Sequence, residues 1–152
     1  MRRTEKEIKD RKKIDAIIEK TTCCRIGLVD GSNPYIVPVN FVVNNNHLYF
    51  HSAKEGRKID ILRKNNSVCF EMDIEGEIVK GQQACFWGMR YVSIIGFGQA
   101  SIIEDNAGKE KVLDMLMEKY AGRRSYLYAN AELDKILIID VKIDTISGKQ
   151  SG

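Results

Sequence analysis

The groups best able to do chemistry in this chain are concentrated in His51-Ser52-Ala53-Lys54-Glu55-Gly56-Arg57-Lys58-Ile59-Asp60-Ile61-Leu62. The segment follows an apolar run, Leu48-Tyr49-Phe50, and leads into a short helical pattern carrying Ile59 and Leu62. Arg57 and Lys58 therefore stand side by side in the first turn of a helix. Unpaired N–H groups and the positive end of the backbone dipole already meet there. Two adjacent cations at that place are unfavourable unless an anion is bound, and a phosphate would use both the charges and the N–H groups. His51 titrates near neutrality and is the candidate general base, although a histidine merely hydrogen-bonded at a ligand's edge fits the same position.

Other polar groups extend the candidate site. Pro38-Val39-Asn40 interrupts a strand pattern, since proline cannot donate a ladder hydrogen bond and points to an edge, a bulge or a ligand-facing break. Ser93 lies on a later strand with Gly96 and Gly98, whose alternate spacing suggests a bend or the close approach of something large. Gly96-x-Gly98 is too short for a dinucleotide fingerprint and lacks its strand-turn-helix setting. Phe86 and Trp87 read as core or interface packing, or as an aromatic wall against a planar ligand. The four cysteines, Cys23, Cys24, Cys69 and Cys85, form no C-x-x-C pair, and with only His47 and His51 they make no metal-ligand spacing. Cys23 and Cys24, neighbours on an expected strand, read as buried thiols of a reducing compartment.

Composition bounds the rest. A chain of 152 residues, 43% hydrophobic and 30% charged, is one globular domain, 1–152, with a sizeable core. No apolar run approaches the ~20 residues of a membrane span. The N-terminus lacks an apolar signal region, so a cytoplasmic location is expected. The net charge of +3 resides in residues 1–20, with eight Lys/Arg against five Asp/Glu. The acids are interleaved and no aromatic accompanies the cations. This reads as a solvated helix face rather than a nucleic-acid arm.

The elements that must position these residues can be read from periodicity. Thr4-x-x-Glu7 suggests a capping box, and Ile14, Ile17 and Ile18 an apolar stripe, giving a helix from Thr4 to Lys20. Strands are expected at 22–30, 35–43 and 47–52, joined by turns at Gly31–Pro34 and Asn44–Asn46 as a three-stranded meander. A short helix near Gly56–Lys64, a strand at 67–73, a long strand at 91–103, an amphipathic helix at 107–120 and a final strand at 136–146 follow. That second helix carries Val112, Leu113, Leu116, Met117 and Tyr120 on its apolar face, with Gly122 as cap. Residues 74–88 are the least legible, and residues 123–134 read as irregular or weakly helical. Short turns without crossover helices favour a mainly β fold, a closed antiparallel barrel with peripheral helices.

Three motifs together resemble a known family. They are Pro-Tyr-Ile-Val-Pro-Val-Asn-Phe at 34–41, Leu-Tyr-Phe-His-Ser-Ala-x-Glu-Gly-Arg-Lys-Ile-Asp-x-Leu at 48–62, and Asn-x-x-Val-Cys-Phe-Glu at 65–71. The chain is similar to the FMN-binding split barrels related to pyridoxamine 5′-phosphate oxidase, and within them to the nitroimidazole-resistance (Nim-type) branch. The resemblance implies an antiparallel Greek-key barrel, a homodimer, and FMN bound in clefts between the subunits, with FAD as the alternative flavin. It implies that Arg57 and Lys58 grip the phosphate, that His51 and Ser52 meet the ribityl chain and phosphate, and that Val37, Pro38, Val39, Asn40 and Phe41 border the ring. Ser93 falls where the oxidases carry a flavin-contacting glutamine. The oxidases' C-terminal tryptophan-and-arginine substrate motif is absent from Asp144-Thr145-Ile146-Ser147-Gly148-Lys149. The expected function is therefore an FMN-dependent, nitroreductase-like oxidoreductase acting on a small planar molecule, with no metal, nucleic-acid or membrane partner. The alternatives are a non-catalytic flavin or haem carrier or sensor, and a pyridoxamine-phosphate-oxidase-like enzyme.

Overall fold

The computed structural model describes residues 3–151; Met1, Arg2 and Gly152 lie outside the described residues. Eight antiparallel strands form one sheet: β1 (Glu7–Ile8), β2 (Cys24–Asp30), β3 (Asn33–Val39), β4 (Val42–Asn44), β5 (His47–Ala53), β6 (Ser67–Val79), β7 (Gly88–Ile103) and β8 (Ile136–Ser151). The helices are α1 (Arg11–Lys20), α2 (Arg57–Lys64), α3 (Asn106–Ala121) and α4 (Asn130–Leu133). The strand order is β3-β2-β6-β7-β8-β5-β4, with β1 added to β8.

That order dictates the shape. β3 and β4 sit at opposite ends of the path, yet only Asn40 and Phe41 separate them in the chain. Val39 and Val42 are three Cα–Cα steps apart, at most about 11 Å, so the sheet must curl until its two ends meet. They meet without pairing, and the barrel-like sheet is split rather than closed. The expected meander is corrected here: β2–β3 and β4–β5 are separate hairpins on opposite edges of the seam. Of the three readings of Pro38 the edge strand holds: Pro38 pairs opposite Arg25, and the chain leaves the sheet at Asn40–Phe41. Proline is tolerated there because β3 is an edge strand.

Side chains from α3 bridge the seam. The Tyr120 hydroxyl accepts the Phe41 N–H at 2.9 Å and donates to the Thr22 carbonyl at 2.8 Å. The Lys119 ammonium donates to the Ile18 carbonyl at 2.9 Å and lies 3.8 Å from the centre of the Phe41 ring. Phe41 is fully buried, so a backbone N–H left unpaired here would be costly, and Tyr120 supplies the missing partner.

The core fills the barrel with alternate residues of each strand: Ile26 and Leu28 of β2, Leu48 and Phe50 of β5, Phe70 and Met72 of β6, and Ile139 and Val141 of β8. The close approach expected at the β7 glycines is found inside the protein. A Cβ at Gly96 would stand 2.1 Å from the Phe70 ring, and one at Gly98 2.3 Å from the Lys142 carbonyl oxygen. Pairing with β8 shifts register between Phe97 and Gly98, which is the bend.

The N-terminal helix is shorter than expected. Glu7 and Ile8 pair with Lys149 and Gly148, burying Ile8. The capping box is therefore replaced by Asp10, whose carboxylate accepts the Lys12 N–H at 2.9 Å. The illegible stretch is also resolved: β6 and β7 run on into a projecting hairpin. Its outer part exposes Ile78, Phe86 and Trp87, so Trp87 is not a core residue. Cys24 is buried but Cys23 only partly so, while Cys69 and Cys85 are exposed.

Candidate functional site

Three elements build the site: the end of β5, the start of α2 and the β3–β4 crossing. Along β5 the side chains alternate, so Leu48, Phe50 and Ser52 point inward while His51 points outward. Ser52 is buried, on the face opposite His51. Lys54, Glu55 and Gly56 then turn the chain into α2. Gly56 adopts φ 117°, a conformation L side chains rarely take, and it provides no side-chain cap. Its carbonyl accepts from Ile59 and Asp60. The N–H groups of Arg57 and Lys58 precede these in the first turn, where intrahelical acceptors are missing.

The two cations diverge. Arg57 lies 3.3 Å from the Asp30 carboxylate and stacks over the Tyr35 ring, 4.7 Å from its centre. The hairpin thus partly neutralises it, through an exposed pair worth about 0–1 kcal/mol. Lys58 is half-buried, 5.5 Å from the centre of the Phe50 ring, and forms no salt bridge among the described residues. Burial lowers its pKa. A half-buried ammonium without a carboxylate, beside open N–H groups, suits a phosphate monoester by charge and by hydrogen bonding. The charge conflict read from sequence is therefore concentrated on Lys58.

His51 keeps contact with solvent, yet its surroundings remove enough water to lower its pKa, and nearby Lys58 lowers it further. Both effects favour the neutral ring. The folded value lies below the ordinary 6.5, so between the two the unfolded chain binds the extra proton. This residue therefore costs stability as pH falls through 6.5 and nothing above it. Replacing Lys58 by alanine should move the His51 pKa up, though not fully to 6.5 because burial remains. An NMR titration of the His51 ring checks this, and an unchanged or lower value would contradict the geometry.

Asn40 and His51 face a cleft of about 290 Å³ whose other wall is α3, through Leu113, Leu116, Met117 and Tyr120. Sequence analysis placed these four on an apolar face without connecting them to the site. On β3, Val39 is buried, Val37 partly buried and Pro38 exposed, while Phe41 belongs to the core.

Ser93 is not brought to this group. Across the sheet, His51 pairs with Ile138 and Ile138 with Ile103, whereas Ser93 pairs with Asp73 and Lys149. From Ile103 to Ser93 is ten residues of β7, on the order of 30 Å along the strand. Cys24 offers no nucleophile, since burial and the adjacent Cys23 push its thiol pKa far up. Among the described residues, no three His, Cys, Asp or Glu side chains converge as a metal site, and no helix is long and apolar enough to cross a membrane.

Comparison with known proteins agrees with this architecture. The family model for pyridoxamine 5′-phosphate oxidase matches residues 10–150. A candidate 5-nitroimidazole antibiotic resistance protein from Bacteroides thetaiotaomicron superposes with a TM-score of 0.85 at 33% identity, over 95% of this chain and 86% of that one. The flavocytochrome Anf3 from Azotobacter vinelandii gives 0.87 at 19% identity, over 100% and 72% of the two chains. An FAD and heme binding protein from Mycobacterium smegmatis gives 0.85 at 21%, over 96% and 73%. The last two establish likeness of fold alone. No match was found among curated proteins.

Proposed function

Because this chain belongs to the pyridoxamine 5′-phosphate oxidase family, we propose that it binds a flavin, FMN foremost, and acts as an oxidoreductase on a small planar molecule. The observation that carries the reading is Lys58: a half-buried cation with no carboxylate, at an uncapped helix start, next to the cleft of Asn40 and His51. Lys58 and the first N–H groups of α2 hold the phosphate. Arg57 adds charge from the Asp30 side. The backbone from Val37 to Phe41 borders the ring, and His51 accepts a proton at the cleft and returns it. When bound, the flavin supplies two-electron transfer between a nicotinamide donor and the planar acceptor, while the protein orients both.

The test is direct. Purified protein should show flavin absorbance, and the mass of the extracted ligand separates FMN from FAD. Anaerobic NAD(P)H should bleach the flavin and a nitroaromatic should restore it. Protein that neither carries nor takes up flavin refutes the reading. A bound flavin that NAD(P)H cannot reduce favours a carrier.

The functional unit in this reading is a homodimer in the cytoplasm. Its support is an apolar row on the outer face of the sheet, where Ile36 pairs with Gly27, Gly27 with Cys69 and Cys69 with Phe97. Ile36 is 64% exposed and Phe97 55%, with Ile95 and Val29 beside them. Contiguous exposed apolar surface of this kind marks association. Ser93 shares the face, so its separation from His51 within one chain is bridged by the second subunit. Phe97→Arg should convert dimer to monomer in sedimentation experiments and reduce flavin occupancy. A wild-type monomer in solution would refute this arrangement.

A further inference from the structure

α3 carries two apolar stripes. Val112, Met115 and Leu116 are buried against Ile138, Val42 and Tyr49. Leu113, Met117 and Tyr120 form the second, across the cleft from Asn40 and His51. Tyr120 ends that stripe with a hydroxyl placed at the seam. This oxygen accepts the Phe41 N–H at 2.9 Å, donates to the Thr22 carbonyl at 2.8 Å and lies 3.2 Å from the Phe41 carbonyl oxygen. Thr22 leads into β2 and Phe41 into β4, so one hydroxyl ties the chain on both sides of the seam, where β3 and β4 do not pair. The Phe41 N–H belongs to the Asn40–Phe41 peptide, which is trans. Its N–H and C=O therefore point in opposite directions within one rigid plane. Holding the N–H against Tyr120 aims the Asn40 carbonyl away from that hydroxyl. The carbonyl accepts no hydrogen bond among the described residues, and Asn40 is exposed at the cleft. Lys119 does not duplicate the hold, since its ammonium donates to the Ile18 carbonyl instead. Without the hydroxyl, a buried N–H would lack a partner and the peptide would be free to turn.

We propose that Tyr120 is a positioning residue: it locks the Asn40–Phe41 peptide so that the Asn40 carbonyl stands as a fixed hydrogen-bond acceptor at the border of the flavin ring and favours the reduced ring. The lock is a property of this chain alone, whereas its effect on the ring rests on the flavin reading. Two electrons and one proton put a hydrogen on the ring's central nitrogen, N5, and turn an acceptor into a donor. A carbonyl already held in place meets that donor without reorganising and offers nothing to the unprotonated nitrogen. Hydrogen bonds to ring nitrogens are among the means by which a protein tunes such a cofactor. In this arrangement α3 sets the potential through the backbone, without touching the ring's nitrogen itself.

Tyr120→Phe is the test, because it keeps the ring and removes only the hydroxyl. In flavin-free protein the Phe41 amide should exchange with deuterium at least tenfold faster in the variant, measured against the Ile139 amide of the core, which reports global opening. In flavin-loaded protein the variant should lose about tenfold of its preference for reduced over oxidised flavin. That is a fall of about 30 mV in the two-electron midpoint potential, read against a reference dye. Val112→Ala, on the other stripe, lowers stability but keeps the hydroxyl in place, and should leave the potential unchanged. Equal Phe41 exchange in wild type and Tyr120→Phe, an unchanged or raised potential, or the same fall in Val112→Ala overturns the proposal. Wild-type protein that takes up no flavin refutes the cofactor reading and with it the effect on the potential, while faster Phe41 exchange in Tyr120→Phe then sustains the lock by itself.

Discussion

Lys58→Ala is expected to weaken FMN binding about tenfold to a hundredfold, the loss of one charge-assisted contact worth about 1.5–3 kcal/mol. Arg57→Ala should cost less, because Asp30 already holds the guanidinium at 3.3 Å and turns it toward Tyr35. This ordering comes from the structure. The sequence presents the two cations as equals. A second measurement excludes a structural explanation. In the flavin-free protein Lys58 is half-buried without an anionic partner, and its desolvation is uncompensated. Removing it should leave the melting temperature of flavin-free protein unchanged or slightly raised while flavin is lost. Isothermal titration with FMN and thermal melts of both forms read the two effects separately. Equal losses in the two variants, or a Lys58→Ala protein that retains wild-type affinity, would move the phosphate away from Lys58.

Gly96→Ala should be a strongly destabilising single-methyl change on β7. Its Cβ would lie 2.1 Å from Phe70 Cζ and within 2.7 Å of two further ring atoms. Gly96 and Phe70 are register partners on adjacent strands, so neither backbone can retreat without disturbing the ladder. Phe70 is buried and cannot swing into solvent. Overpacking of this kind costs about 1–3 kcal/mol. For a chain of this size each kcal/mol lowers the melting temperature by roughly 2–4 °C. Shortening the neighbour in Gly96→Ala/Phe70→Leu should recover part of the loss, because the new methyl then occupies the space the ring vacates. Additive destabilisation in the double variant would show that the clash is not the cause.

These two positions illustrate how unevenly the chain could be read. The alternating pattern of β5, the turn at Asn45 and Asn46 with positive φ, the short helix after Gly56 and the Gly122 cap depend on neighbours within a few residues. All were legible from the chain itself. The helix expected from Thr4 was not, because β1 exists only through a partner strand more than a hundred residues away. The projecting β6–β7 hairpin was missed for a related reason. Its glycines and exposed apolar residues carry no clean alternation, and the strands are held by each other rather than by a core.

By itself, then, the sequence determined a mainly β antiparallel fold through its periodicity, the split-barrel class through its motifs' resemblance to a family, and the pairing of two cations at a helix start. Tertiary structure alone decided which of the two cations is left without a carboxylate among the described residues. Asp30, 27 residues before Arg57, claims that residue and leaves Lys58 unpaired. It alone showed that the chain crosses from one sheet edge to the other at Asn40–Phe41, because only the curl of the whole sheet brings those edges together. It alone placed the second apolar stripe of α3 opposite His51. Helical periodicity shows which residues share a face. What that face meets is set by contacts between residues distant in the chain, and those exist only once the barrel has formed.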